Sequence, residues 1–202
     1  NLDKLENKPT IFIGNEFLDA LPFKQFIYLK KKWHEIYIQK KSGHYNFTNI
    51  KCDIKKIENK LGFKIQTKQD FLEISFEEIK IIKKLNSFIN LNGGCMLFID
   101  YAYSNLKMFD TLQAVQKHKK INIFKAVGKS DISRLINIPF IKKIAKKLNL
   151  ELDYSTQRKF LLNMGIMQRA EILASKKSFL EKANIFYRVK RLIDKKQMGE
   201  LF

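Results

Sequence analysis

Twice in this chain a short, unbroken apolar run stops at a carboxylate. Thr10 to Ile13 follows the breaker Pro9, ends at Gly14-Asn15-Glu16, and has Asp19 three residues on before Pro22 closes the segment. Cys95 to Ile99 follows Asn92-Gly93-Gly94 and ends at Asp100-Tyr101. Runs this short and this apolar read as strands buried on both faces, which is the habit of parallel sheets covered by helices. Glu77 to Asn90 lies between them and places Ile79, Ile82, Leu85, Phe88 and Ile89 at steps of three and four, an amphipathic helix. Strands alternating with helices argue an α/β sheet. In open α/β sheets ligands bind beyond the carboxyl ends of the strands, where Glu16 and Asp100 would stand. The competing reading is that such acids only cap helices that follow. Spacing alone leaves the two even.

The remaining segments are read the same way. Asp19 to Leu21 is expected to open a short helical turn. Phe23 to Leu29 and Trp33 to Gln39 read as two strands joined at Lys30-Lys31-Lys32, with Trp33 and Tyr37 as sheet packing. Residues 40–70 carry weak signals and are taken as strands and loops, so that about 23–70 forms an inserted β-rich segment. Asp110-Thr111 is expected to start a helix that carries Gln113, with His118 near its end against the helix dipole. Asn137 to Leu150 is a second amphipathic helix, its lysines on the solvated face. Thr156 to Met164 and Ala170 to Lys195 read as further helices.

The chain carries a formal charge of +19 over 202 residues, which suggests a nucleic-acid or anionic-membrane partner. The bases are nearly all lysine, however, and Ile, Asn and Phe are abundant, as an AT-rich genome would write. Arginine, the residue that forks onto phosphates and bases, is scarce. We therefore expect no nucleic-acid partner. Cys52 and Cys95 read as free thiols in a reducing compartment. His34, His44 and His118 show no metal-ligand spacing, so no metal is expected. The longest apolar runs fall far short of a membrane span, and no membrane insertion is expected. The chain opens Asn1-Leu2, so nothing about targeting follows.

Six islands then fall in one order. "GNEFLDALP" at 14–22, "FIDYAY" at 98–103, "DTLQAVQKH" at 110–118, "VGKSDIS" at 127–133, "STQRKFLLNMGIMQR" at 155–169 and "MGELF" at 198–202 resemble the successive motifs of the MidA family. The resemblance implies an S-adenosylmethionine-dependent protein arginine methyltransferase acting on a respiratory complex I subunit. It implies a class I, Rossmann-like sheet with 10–15 as fourth strand and 95–99 as fifth. No glycine-rich loop follows a strand here, so 1–202 is expected to be the C-terminal part of a single methyltransferase domain, truncated at its N-terminus. A non-catalytic fragment or assembly factor is the alternative. Where the family carries a His-Val-Asp-Phe-like tetrad, this chain has Leu135, Ile136, Asn137 and Ile138, and Ala102 stands where glycine is frequent.

A guanidinium is a poor nucleophile, and carboxylates can hold it bidentately and localise electron density on one nitrogen. The resemblance thus implies Glu16 and Asp19 as catalytic residues and Asn15 as a cofactor contact. Asp100, Tyr101 and Gln113 would be substrate-binding, although Asp19 also suits a helix cap and the Gln113 amide a structural bond. The partner would be a protein substrate, and a homodimer is allowed. The location would be the cytoplasm of a bacterium or the mitochondrial matrix of a eukaryote.

Overall fold

A computed structural model describes residue 2 and residues 5–65 and 68–200. The chain falls into two compact units, 1–151 and 152–202. In the first, strand β1 (Thr10–Asn15) is followed by β2 (Lys24–Leu29), β3 (Lys32–Lys41), β4 (His44–Lys51), helix α1 (Ile54–Leu61), β5 (Phe71–Ile74), α2 (Phe76–Asn92) and β6 (Gly94–Ile99). Short strands β7 (Ala102–Tyr103), β8 (Gln113–Gln116), β9 (Lys119–Ile121), β10 (Asp131–Ser133) and β11 (Ile136–Asn137) lead to α3 (Ile138–Lys147). The second unit holds α4 (Gln157–Asn163), α5 (Ile166–Ala174) and α6 (Phe179–Ile193).

The two apolar runs do form neighbouring parallel strands, β1 beside β6, with Thr10 opposite Gly94 and Asn15 opposite Ile99. Helix α2 covers one face, where Phe12 meets Phe88 edge to face at 5.5 Å. The opposite face is open: Ile11 is 67% and Ile13 69% exposed. The expectation of burial on both faces therefore fails for β1 and also for β6, whose residues are exposed at Cys95 and only half-buried from Met96 to Ile99. Alternation of exposed and half-covered residues is what a strand with one packed face shows.

Strands β2 to β5 form an antiparallel sheet of order β4-β3-β2-β5, whose strand β5 lies beyond the expected segment of about 23–70. Its β2–β3 turn is Lys30-Lys31, both at positive φ, as a two-residue hairpin requires. Phe26, Leu72 and Ile74 on one face are buried. Residues 40–70 hold a helix that the sequence reading missed: α1 is capped by Asp53, which accepts from the Lys55 N–H, and stopped by Gly62 at φ 71°. Its eight residues show too few turns for the pattern to be legible.

Helix α2 starts at Ser75, whose side chain accepts from the Glu78 N–H. Helix α3 is shorter than expected, because Asn137 is its cap, accepting from the Phe140 N–H at 2.8 Å. The expected helix at Asp110 is absent. Gln113 lies on β8, which pairs antiparallel with β9 and β10, and His118 sits in the β8–β9 turn at φ 61°. Local pattern favoured a helix there. Side-chain bonds from Asp110 and Thr111 to the inserted sheet, described below, hold the backbone extended instead. Leu18 to Leu21 makes a single hydrogen-bonded turn and no helix.

In the second unit Thr156 caps α4 as expected, and the single long helix over 170–195 is two helices. Ser178 restarts the chain with a reciprocal capping box to Glu181, which holds that carboxyl down at about 2. The last two residues of the "MGELF" island lie outside the described residues. Among the described residues, no helix is long and apolar enough to cross a membrane.

Candidate functional site at the carboxyl ends of β1 and β6

Parallel register brings the ends of β1 and β6 to one level, and the residues there are Asn15, Glu16, Asp100 and Tyr101. Gly14 prepares the exit. A Cβ at this position would lie 2.7 Å from the Phe98 ring, so only glycine lets the strand pass. Phe17 then stacks on Phe98, ring centres 6.4 Å apart. Glu16 turns the chain at φ 45°, while its N–H donates to the Ile99 carbonyl at 2.8 Å. A left-handed non-glycine residue costs roughly 1 kcal/mol or more, so neighbouring bonds must hold it.

Asp100 supplies those bonds. Its Oδ2 accepts the N–H of Phe17 at 3.2 Å and of Leu18 at 2.8 Å. The carboxylate ending β6 thus clamps the turn that leaves β1. Asp100 and Asp19 are both only 8% exposed, and the Oδ1 atom of each is buried without a hydrogen-bond partner among the described residues. Burial first, and the Asp19 charge next among the forces opposing ionisation, push the Asp100 carboxyl up to about 6. Glu16 itself is exposed. Tyr101 stands beside it: burial, then the Glu16 charge, raise the phenol. Asn15 is exposed at the end of β1.

Asp19 caps no helix, because none follows it; the capping alternative is gone. Instead its backbone carbonyl accepts the Arg134 N–H at 3.2 Å. Arg134 and Glu78 form an ion pair buried to 4% and 1% side-chain exposure, and the guanidinium lies 5.6 Å from the centre of the Phe23 ring. Burial raises the Glu78 carboxyl against the opposing pull of Arg134. Sequence reasoning missed this pair. The available signal was that Arg134 is one of only five arginines in a lysine-rich chain.

Gln113 is not brought to this cluster by any hydrogen bond among the described residues; its amide donates to Ser133 Oγ at 3.2 Å across the β8–β10 pair. The "DTLQAV" island around it serves a different centre. Buried Glu73 accepts from Gln25 Nε2 at 2.8 Å, from the Thr111 N–H at 3.0 Å and from the Thr111 hydroxyl. Thr111 Oγ1 in turn accepts the Leu135 N–H at 2.9 Å, and Asp110 accepts from Gln25 at 2.8 Å. This network ties β2 and β5 to the chain entering β11. Among the described residues no group of three or more His, Cys, Asp or Glu is gathered to hold a metal ion.

The clamp gives a first expected result. Asp100→Asn keeps an acceptor oxygen for Phe17 and Leu18 and removes the charge. A carboxyl raised above its unfolded value costs stability once pH climbs through the interval from its ordinary 3.8 to about 6. Asp100→Asn should therefore be more stable than the parent at pH 7 by roughly 1–2 kcal/mol, discounted for screening, and equal to it near pH 4. Asp100→Ala, which loses both bonds, should be destabilised by about 2 kcal/mol near pH 4 and by less at pH 7, where losing the buried charge offsets part of the cost. Thermal melts at the two pH values check this, and equal losses in both variants would show that the charge, not the acceptor, matters.

Comparison with known proteins adds identity to this geometry. A family model described as "Putative S-adenosyl-L-methionine-dependent methyltransferase" matches residues 1–156. The mitochondrial protein arginine methyltransferase NDUFAF7 of Danio rerio is 28% identical over 196 residues, covering 96% of this chain and 46% of that protein. Its Caenorhabditis elegans homolog is 26% identical over 172 residues, covering 84% of this chain and 40% of that one. A crystal structure from Burkholderia thailandensis, of a candidate methyl transferase bound to S-adenosyl-homocysteine, superposes with a TM-score of 0.76 at 22% identity, over 99% of this chain and 54% of that one. The chain spans about half the length of these relatives.

Proposed function

Because the chain belongs to this family of S-adenosyl-L-methionine-dependent methyltransferases, we propose that it forms the acceptor side of a protein arginine methyltransferase whose target is a respiratory complex I subunit. One observation carries the reading. The exposed Glu16 carboxylate stands beside Tyr101 at the ends of two parallel strands, on a turn held by Asp100.

A planar guanidinium presents paired N–H donors that a carboxylate can accept together. Glu16, exposed yet fixed in backbone, is the acid that can reach it; Asp19 and Asp100 are buried behind. The Tyr101 phenol restricts the carboxylate's rotation, so that the cation arrives in one orientation. Asn15 flanks the same edge as an uncharged donor and acceptor. The names of the relatives support a mitochondrial location in a eukaryote, which we take to be the matrix; in a bacterium it would be the cytoplasm.

The residues present do not by themselves fit the cofactor. A nucleotide-like ligand in such sheets is cradled by a glycine-rich turn between a strand and a helix. Here Gly14 lies within β1, Gly93 caps α2 and Gly94 opens β6. In this reading the cradle belongs to the remainder of the family's sheet, whose strands would continue beside β1 and whose helices would cover the face that leaves Ile11 and Ile13 open. The same open face favours the second reading, a non-catalytic part or assembly factor.

We expect the 202-residue chain alone to show no appreciable binding of S-adenosylmethionine in calorimetric titration; micromolar affinity would overturn this. The function is tested by joining the chain to the cofactor-binding half of a relative and following methyl incorporation into arginine of a complex I subunit. Incorporation only into lysine, or none with cofactor bound, would reject the arginine reading.

A further inference from the structure

Strand β4 is the edge of its sheet, pairing with β3 along one side only among the described residues. It is eight residues long, and all but Thr48 are exposed. An edge of this length presents a row of backbone donors and acceptors at strand spacing. It also carries apolar side chains where water would be expected to favour polar ones. Phe47 is 49% and Ile50 53% exposed, and Ile38, opposite Phe47 on β3, is 57% exposed. Phe124, from the segment after β9, packs on Tyr45 and Phe47 with ring centres 6.2 and 5.1 Å apart. The two segments that meet there, 36–52 and 111–130, contain eight lysines and no carboxylate.

We propose that the free edge of β4 receives an extended, acidic segment of a partner protein as a fifth strand. The edge supplies main-chain hydrogen bonds, and alternate side chains of the guest rest against Phe47 and Ile38 or face the lysines. Its charge chooses the guest. A second copy would bring two patches together, each with eight lysines and no carboxylate over 36–52 and 111–130, and like charges facing one another are unfavourable. A nucleic acid would satisfy the lysines but cannot match the strand's row of N–H and C=O groups. This surface is independent of methyl transfer and is tested by binding alone.

The test uses the full chain and a synthetic peptide alternating glutamate with valine, followed by fluorescence anisotropy at physiological salt and by amide hydrogen exchange. Binding should slow exchange in 44–51. Lys51→Glu and Phe47→Glu should each weaken it roughly tenfold, while Lys146→Glu on α3, the same change of charge elsewhere, should leave it nearly unchanged. A peptide with lysine for glutamate should not bind. Equal weakening by Lys146→Glu, unaltered exchange in 44–51, or preference for oligothymidylate or for anionic vesicles over the peptide would each overturn the proposal. Either glutamate variant is scored only if its melt matches the parent's; should Phe47→Glu fail to fold, Lys51→Glu decides.

Discussion

Glu16→Gln, in the chain completed with its cofactor-binding half, should lower methyl transfer by roughly a hundredfold or more, the scale of a lost electrostatic contact at a reacting centre. The substitution is nearly isosteric. It leaves the φ of 45°, the bond from the Glu16 N–H to Ile99 and the Asp100 clamp in place. The loss should fall on kcat, with the melting temperature within a degree or so of the parent. Asp19→Asn is the comparison. Asp19 is buried and caps nothing, and removing its charge relieves Asp100, so that variant should hold or gain stability and keep most of its rate. Single-turnover methylation with melts as control separates the two. Near-parent turnover in Glu16→Gln would take Glu16 out of the chemistry and leave the turn as a strand end held by a clamp.

The largest effect on stability is expected at Arg134. Arg134→Leu leaves Glu78 buried at 1% side-chain exposure with no counter-charge. Breaking a buried pair from one side costs about 3–5 kcal/mol. The same substitution loosens the ring contact with Phe23 and disturbs the segment whose N–H holds Asp19. Melting should fall by roughly 10 °C. The loss should be smaller at pH 5 than at pH 8, because Glu78 can then take a proton: a carboxyl with a raised folded-state value stabilises the fold as pH falls through it. Adding Glu78→Gln to Arg134→Leu should restore part of the loss. A change below about 1 kcal/mol at pH 7 would show that the pair is solvated in solution and does not anchor the site.

How much of this was written in the sequence can be judged element by element. The two apolar runs determined their own strands, and the breakers Pro9 and Gly93-Gly94 determined where they start, because a strand of consecutive apolar residues needs only local signals. Helix α2 was legible from its 3.6-residue period, and the helix read from Thr156 starts one residue later, at Gln157, with Thr156 as its cap. The ordered islands carried the family without any coordinates. The sequence could not determine register, and register is what sets Glu16 beside Tyr101 and Asp100 beneath Phe17 and Leu18. Nor could it show that Asp19 lacks a helix to cap, since that depends on whether the chain after it coils. Tertiary contacts also overrode local preference at "DTLQAV". Thr111 and Asp110 find Glu73 and Gln25, more than thirty residues away, and those bonds outweigh a helix propensity worth only tenths of a kcal/mol per residue. The Glu78–Arg134 pair, 56 positions apart in the chain, is a fully buried case. Each residue alone reads as an ordinary surface charge, and only the fold, by burying both, makes them partners.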